Sequence, residues 1–128
     1  WFNSRTYIGA PPQNSLGVLL EGPSRVGHYF RPAYANSSGM GRVVGEGPVM
    51  RPARTSHTWT LDYDPDASGG LGRIVVTLDG ESVSVGLDTG VRDSGAGFDR
   101  FGMLSYQRGG HYVEVWLDDL RYTAGPPR

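Results

Sequence analysis

Residues 57–87 alternate apolar and polar side chains, and this alternation restricts what the chain can fold into more than any other feature. His57, Trp59, Leu61 and Tyr63 fall on one face of an extended segment, and Thr58, Thr60 and Asp62 on the other. Ile74, Val76 and Leu78 line one face of the next, and Val83, Val85 and Leu87 return on a further arm. A period of two is the signature of half-buried strands. Asp79-Gly80 sits between the last two arms, a strong hairpin signal because a tight two-residue turn needs positive φ. The pattern predicts antiparallel strands. No helical period, heptad or fixed internal repeat competes with it.

The first half is less regular. Residues 1–10 read as a strand closed by Gly9-Ala-Pro-Pro. Leu16 to Glu21 reads as a second, stopped by Gly22-Pro23, and Val26 to Arg31 as a third, stopped by Pro32. Residues 33–56 carry Asn36-Ser-Ser-Gly-Met-Gly41, Pro48 and Pro52 around the apolar Val43-Val44. They read as a long surface loop with one edge strand, because proline confines strands to edges. A last strand, 112–117, places Val113, Val115 and Leu117 on an inward face and Tyr112, Glu114 and Trp116 on the opposite one. The start, Trp1-Phe2, is an apolar pair with no leader. It reads as the edge of a trimmed chain whose first strand or strands lie upstream.

Composition narrows the function classes. A length of 128 residues suits one domain spanning 1–128. Twenty glycines and nine prolines signal many tight turns between strong strands. The net charge is −1 and the basic residues are scattered, so no stripe exists to neutralise a phosphate backbone, and nucleic acid is not an expected partner. All twelve basic residues are arginine, as a GC-rich coding sequence gives; arginine forks also hold carboxylates and sugars in paired bonds. The absence of cysteine excludes disulfides and thiolate metal sites. No apolar run is long enough for a membrane span.

Trp59, then Leu61-Asp-Tyr63, a turn, a strand ending in Leu78-Asp-Gly80, and a closing Leu117-Asp-Asp-Leu-Arg-Tyr122 together resemble the concanavalin A-like lectin/glucanase superfamily in its laminin-G-like form. The likeness covers residues 57–122. It implies an all-β, two-sheet antiparallel β-sandwich of jelly-roll type. It also implies a secreted, extracellular protein that binds glycans or protein surfaces, often with structural calcium and as a module of a larger enzyme.

Candidate sites follow from side-chain chemistry. Trp59 shares a face with Leu61 and reads as core. Tyr112 and Trp116, with Glu114 between them, form a candidate carbohydrate platform: large rings cover the C–H faces of sugars and a carboxylate accepts hydroxyl hydrogen bonds. The competing reading makes this face the inter-sheet core. His28, Tyr29, Arg31 and Tyr34 form a candidate ligand rim at the mouth of the long loop, or a strand end packed beneath it. Asp62, Asp64 and Asp66 form a D-x-D-x-D run of hard oxygen ligands suited to calcium, although Ala67 and Arg73 stand where an EF-hand needs glycine and glutamate; a solvated turn explains the run equally. In related sandwiches a closing Asp pair such as Asp118-Asp119 supplies a calcium ligand or bonds to loop backbone. Asp99-Arg100 reads as a local ion pair, and Asn36-Ser-Ser38 is a glycosylation sequon.

Catalytic signatures are sparse. The related glucanases use a Glu-x-Asp-x-x-Glu strand, and the four glutamates here, at 21, 46, 81 and 114, lie far apart. The leading expectation is a non-catalytic carbohydrate-binding module of a larger secreted protein. One alternative is a glycan-cleaving enzyme, or a fragment of one, pairing Glu114 with an aspartate from another strand. Another is a structural or assembly subunit that self-associates through edge strands and the Trp1-Phe2 pair.

Overall fold

A computed structural model describes residues 1–3, 12–36, 39–42, 46–51, 53–93, 95–105 and 114–123. Strands β1 (Ser15–Glu21), β2 (His28–Asn36), β3 (Gly39–Arg42) and β4 (Val49–Met50) form one antiparallel sheet. Strands β5 (Trp59–Asp64), β6 (Arg73–Leu78) and β7 (Glu81–Gly86) form a second, interrupted only by the four-residue α1 (Ala67–Gly70). The protein is therefore all-β, with two sheets face to face. Each sheet is built from strands consecutive in sequence. The crossing of strands between sheets that defines a jelly roll does not occur among the described strands.

β2 is the central strand of its sheet. β1 pairs along one edge from Tyr29 to Ala35, while β4 and β3 lie end to end along the other, opposite His28–Tyr29 and Ala33–Asn36. The expected stop at Pro32 is thus wrong: the strand runs on to Asn36. The Phe30 N–H donates to the Pro48 carbonyl at 2.9 Å. Backbone groups alternate sides along a strand, so Pro32 turns its nitrogen toward that same edge, in the gap between the registers of β4 and β3. The missing N–H costs no ladder bond there. The expected long loop is likewise corrected, since both β3 and β4 lie inside it. Val43 and Val44 lie outside the described residues, as do Ser37 and Ser38 of the sequon and residues 4–11 of the expected first strand. Segment 1–3 does add to the sheet: Leu16 N–H donates to the Trp1 carbonyl at 2.9 Å, and Phe2 bridges Ser15 on one side and Arg100 on the other.

The core lies between β2 and β6. Leu16, Val18 and Leu20 stand opposite Tyr34, Pro32 and Phe30 in register and turn the same face inward. Across the interface, Ile74 and Val76 are 0% exposed and Leu78 and Leu87 are buried. Trp59 completes this layer, packed edge-on to Phe30 at 6.0 Å between ring centroids. The second-half alternation therefore becomes register: Trp59, Leu61 and Tyr63 pair with Leu78, Val76 and Ile74.

The β6–β7 hairpin has φ of 51° at Asp79 and 89° at Gly80, the two positive values a tight hairpin turn requires. Asp79 also clasps the chain leading into β5. Its Oδ2 lies 2.6 Å from His57 Nδ1, its Oδ1 accepts from Thr58 N–H at 2.9 Å, and its own N–H donates to the Thr58 carbonyl at 2.8 Å.

Over its described part, 114–117, the expected closing strand is not formed, and Tyr112 and Val113 lie outside the described residues. Residues 114–123 contain no strand, and Trp116, Leu117, Leu120 and Tyr122 are all exposed. Leu117 therefore does not face inward as expected. The sequence itself bends the chain here: Asp119 N–H donates to Asp118 Oδ1 at 2.8 Å, and Asp119 takes φ of 51°. Such a local side-chain bond offers the backbone an alternative to a ladder.

Two outcomes are expected. Ile74→Ala leaves a cavity in the middle of the inter-sheet layer and lowers the unfolding free energy by about 2–5 kcal/mol, measured by urea titration. The His57 and Thr58 hydrogen bonds hold the Asp79 carboxyl below the usual carboxylate range. A depressed folded-state pKa means that the clasp stabilises above the unfolded value near pH ~4 and is lost as pH falls through the folded value. Asp79→Asn should be less stable than the unaltered chain at pH ~7, with the difference closing well below pH ~4. A difference that stays constant with pH would show that the carboxylate charge plays no part.

Candidate binding surface

The four residues of the expected rim divide between the two faces of β2. Arg31 is only 3% exposed. Its Nη1 donates to Glu21 Oε2 at 2.5 Å, its Nε donates to the Glu46 carbonyl at 3.1 Å, and its guanidinium lies 3.8 Å from the centroid of the Tyr29 ring. Glu21 also accepts from Arg42 Nη1 at 3.2 Å, so one carboxylate serves two guanidinium groups on the same face of the sheet. Tyr34 is buried on the opposite face. Its hydroxyl donates to Asp88 Oδ2 at 2.9 Å and accepts from Asp88 N–H at 3.1 Å. Burial pushes this phenol above its ordinary value. A side chain at Gly41 would run into the Tyr34 ring, and glycine lets the ring lie across β3. Arg31 and Tyr34 are thus withdrawn from the surface, while His28 and Tyr29 are half-buried.

Tyr34 leads to two clefts. The first, about 200 Å³, lies beside it and is lined by Leu16, Asn36, Tyr63, Val91, Arg92 and Phe98, among others. Asn36 steadies this wall by donating to the Val91 carbonyl at 3.2 Å and accepting from Gly39 N–H at 3.1 Å. The second, about 290 Å³, is more polar and is lined by Gly70, Leu71, Asp88, Gly90, Arg92 and Asp93. Arg92 borders both.

The aromatic side chains gather along the edge of the first sheet. Trp1 and Phe101 lie 4.9 Å apart between ring centroids, and Tyr122 lies 6.1 Å from each. All three are exposed, Tyr122 at 68%. Backbone pairing joins the segments carrying Trp1 and Phe101: Phe2 N–H donates to the Arg100 carbonyl at 3.0 Å, and Arg100 N–H returns to Phe2 at 3.0 Å. Asp99 and Arg100 are fixed by this pairing, not by the expected ion pair with each other. The cluster adjoins the first cleft, since Trp1 is paired through its backbone to Leu16, which lines that cleft. Trp116 stands apart from these ring pairs and is 86% exposed. Glu114 is exposed, and Tyr112 lies outside the described residues.

The acidic run is not drawn together. Asp64 Oδ1 accepts from Asp66 N–H at 2.9 Å, and Asp62 Oδ2 accepts from Thr60 Oγ1 at 3.3 Å. Asp118 is engaged with Asp119 N–H. Among the described residues, no three His, Asp or Glu side chains converge as a metal shell, and as placed these five aspartates do not fit one. No helix among the described residues is long and apolar enough to cross a membrane.

The sequence pointed to Trp116 but missed the three-ring cluster. Trp1, Phe101 and Tyr122 are far apart in the chain and share no spacing. Arg92 carried no sequence signal at all, because its environment is made by two turns.

The exposures predict a fluorescence result. Of the three tryptophans, Trp59 is half-buried and Trp116 the most open. Iodide should quench Trp116 most strongly, and Trp116→Phe should remove the steepest part of the quenching curve. An unchanged slope would place that ring inside the protein. Compared with known protein families, curated proteins and solved structures, the chain gives no match, so the chemistry of these residues alone bears on function.

Proposed function

We propose that this chain is a non-catalytic carbohydrate-binding module of a secreted protein, related to the laminin-G-like sandwiches its second half resembles. The observation that carries the reading is the set of large rings left open to water: Trp116, and the cluster of Trp1, Phe101 and Tyr122. Sugar rings present apolar C–H faces that such surfaces cover, while their hydroxyls need few, well-placed polar partners. The Tyr122 hydroxyl and the polar cleft beside Arg92 supply groups of that kind. Tyrosine and tryptophan suit this task because one part of each ring system is apolar and another is polar.

A second reading, as an assembly subunit, is favoured by the aliphatic part of the exposed set. Met103, Leu117 and Leu120 are exposed as well, and apolar surface of that kind also marks protein contacts.

One set of measurements separates the two. Glycan-array screening followed by calorimetry should find a binding polysaccharide. Trp116→Ala and Tyr122→Ala should each weaken it roughly two- to twelvefold, in line with ~0.5–1.5 kcal/mol per ring contact. Sedimentation should meanwhile show a monomer. Absence of glycan binding, together with an oligomer dispersed by Leu120→Glu, would replace the carbohydrate reading with the assembly reading. Polysaccharide cleavage abolished by Glu114→Gln would instead make the protein an enzyme.

A further inference from the structure

Arg92 is held in a way that leaves its most useful edge unspent. Its Nη1 donates to the Pro65 carbonyl at 2.8 Å and to the Gly70 carbonyl at 2.7 Å. These two bonds use both hydrogens of that nitrogen and brace the turn after β7 against α1. The ion pairs among the described residues involve Arg31, Arg42 and His57, not Arg92. The edge left over is Nε–Nη2, the side on which a guanidinium takes a carboxylate in two parallel bonds. Because the plane is already fixed, a ligand that docks there does not have to immobilise a long side chain.

The surroundings select the ligand. Among the described residues, Arg92 is the one charged side chain lining the first cleft, whose other walls include Tyr63 and Phe98. Asp88 and Asp93 line the second cleft beside it, and their charge disfavours an anion on that side. Asp88 is also committed to Tyr34. The first cleft is thus the side on which no described carboxylate opposes an anion.

We propose that the glycan recognised is acidic: a uronate whose carboxylate pairs with the Nε–Nη2 edge of Arg92 and whose ring rests on Phe98 and Tyr63. This inference rests on the carbohydrate reading and adds the chemical class of the sugar. It also gives one member of the all-arginine basic set a task for which lysine, a point charge, is not equivalent.

The test compares a galacturonate oligomer with its methyl ester, titrated calorimetrically into the unaltered chain at low and high salt. The acid should bind about tenfold tighter or more, as hydrogen bonds to a charged group imply, and the difference should shrink as salt screens an exposed pair. Arg92→Gln should bring the acid down to the affinity of the ester. Arg92 also braces a turn, so the acid–ester comparison on the unaltered chain stands without the variant. Equal affinity for acid and ester, or an acid preference that survives Arg92→Gln, overturns the inference and leaves the carbohydrate reading in place. Failure of both oligomers, and of every glycan on the array, removes both.

Discussion

The packing of β2 on β6 is the contact on which the rest of the molecule depends. Phe30, Pro32 and Tyr34 from one sheet meet Ile74, Val76 and Leu78 from the other, and these residues are almost wholly buried. Each sheet is apolar on one face and must bury it against another layer, and here each covers the other. The inter-sheet layer is thin, a single row of side chains from each central strand. It draws in Leu16, Val18, Leu20, Trp59 and Val85 at its margins, and every other described feature is fastened to this slab.

Polar links add direction to a contact that is otherwise only apolar. The Tyr34 hydroxyl crosses from the first sheet to Asp88 beyond the end of β7, and Asn36 reaches Val91 in the same turn. These bonds fix the relative slide of the sheets, which hydrophobic area alone leaves free. On the far side of β2, Arg31 sits among Glu21, the Glu46 carbonyl and the Tyr29 ring. Removing Glu21 would strand a buried cation, and stranding is costlier than the pair itself is stabilising. The network therefore specifies how β1, β2 and β3 are laid together more than it adds to stability.

How much of this could be read from the chain depends on the range over which the signal acts. The period-two runs within 57–87 and the Asp79-Gly80 turn are local, and they became strands and a hairpin. Pro32 misled because its cost depends on which edge its nitrogen faces, and that is settled by β3 and β4, not by neighbours in sequence. Leu117 misled for the converse reason: an alternating segment becomes a strand only when a ladder is offered, and the Asp118–Asp119 bond turns the chain away instead. Of the expected site residues, Trp116 is exposed, as its polar-facing position in the sequence suggested. The burial of Arg31 and Tyr34 was hidden, since both look like surface residues until the partners Glu21 and Asp88 are placed beside them. The ring cluster was out of reach because a backbone bridge at Phe2 brings residue 1 to residue 101, and Tyr122 joins them from far along the chain.

The exposed rings are best understood against what the fold forgoes by leaving them out. A tryptophan side chain buries some 150–250 Å² when covered, worth about 4–6 kcal/mol of transfer free energy at ~25 cal/mol per Å². Trp116 collects little of this at 86% exposure, while Ile74 and Val76 a short distance away in sequence from Trp59 are sealed completely. A chain selected only to fold would not keep Trp116, Tyr122, Phe101 and Trp1 at the surface when the inter-sheet layer is already closed without them. The uncollected free energy is available to a ligand that covers the rings. Trp1 and Phe101 of this cluster are also anchored through backbone bonds to a paired sheet edge, so little ordering of that edge is needed when a ligand arrives. The apolar surface left on these rings is thus a property of the folded chain, not a demand of its core.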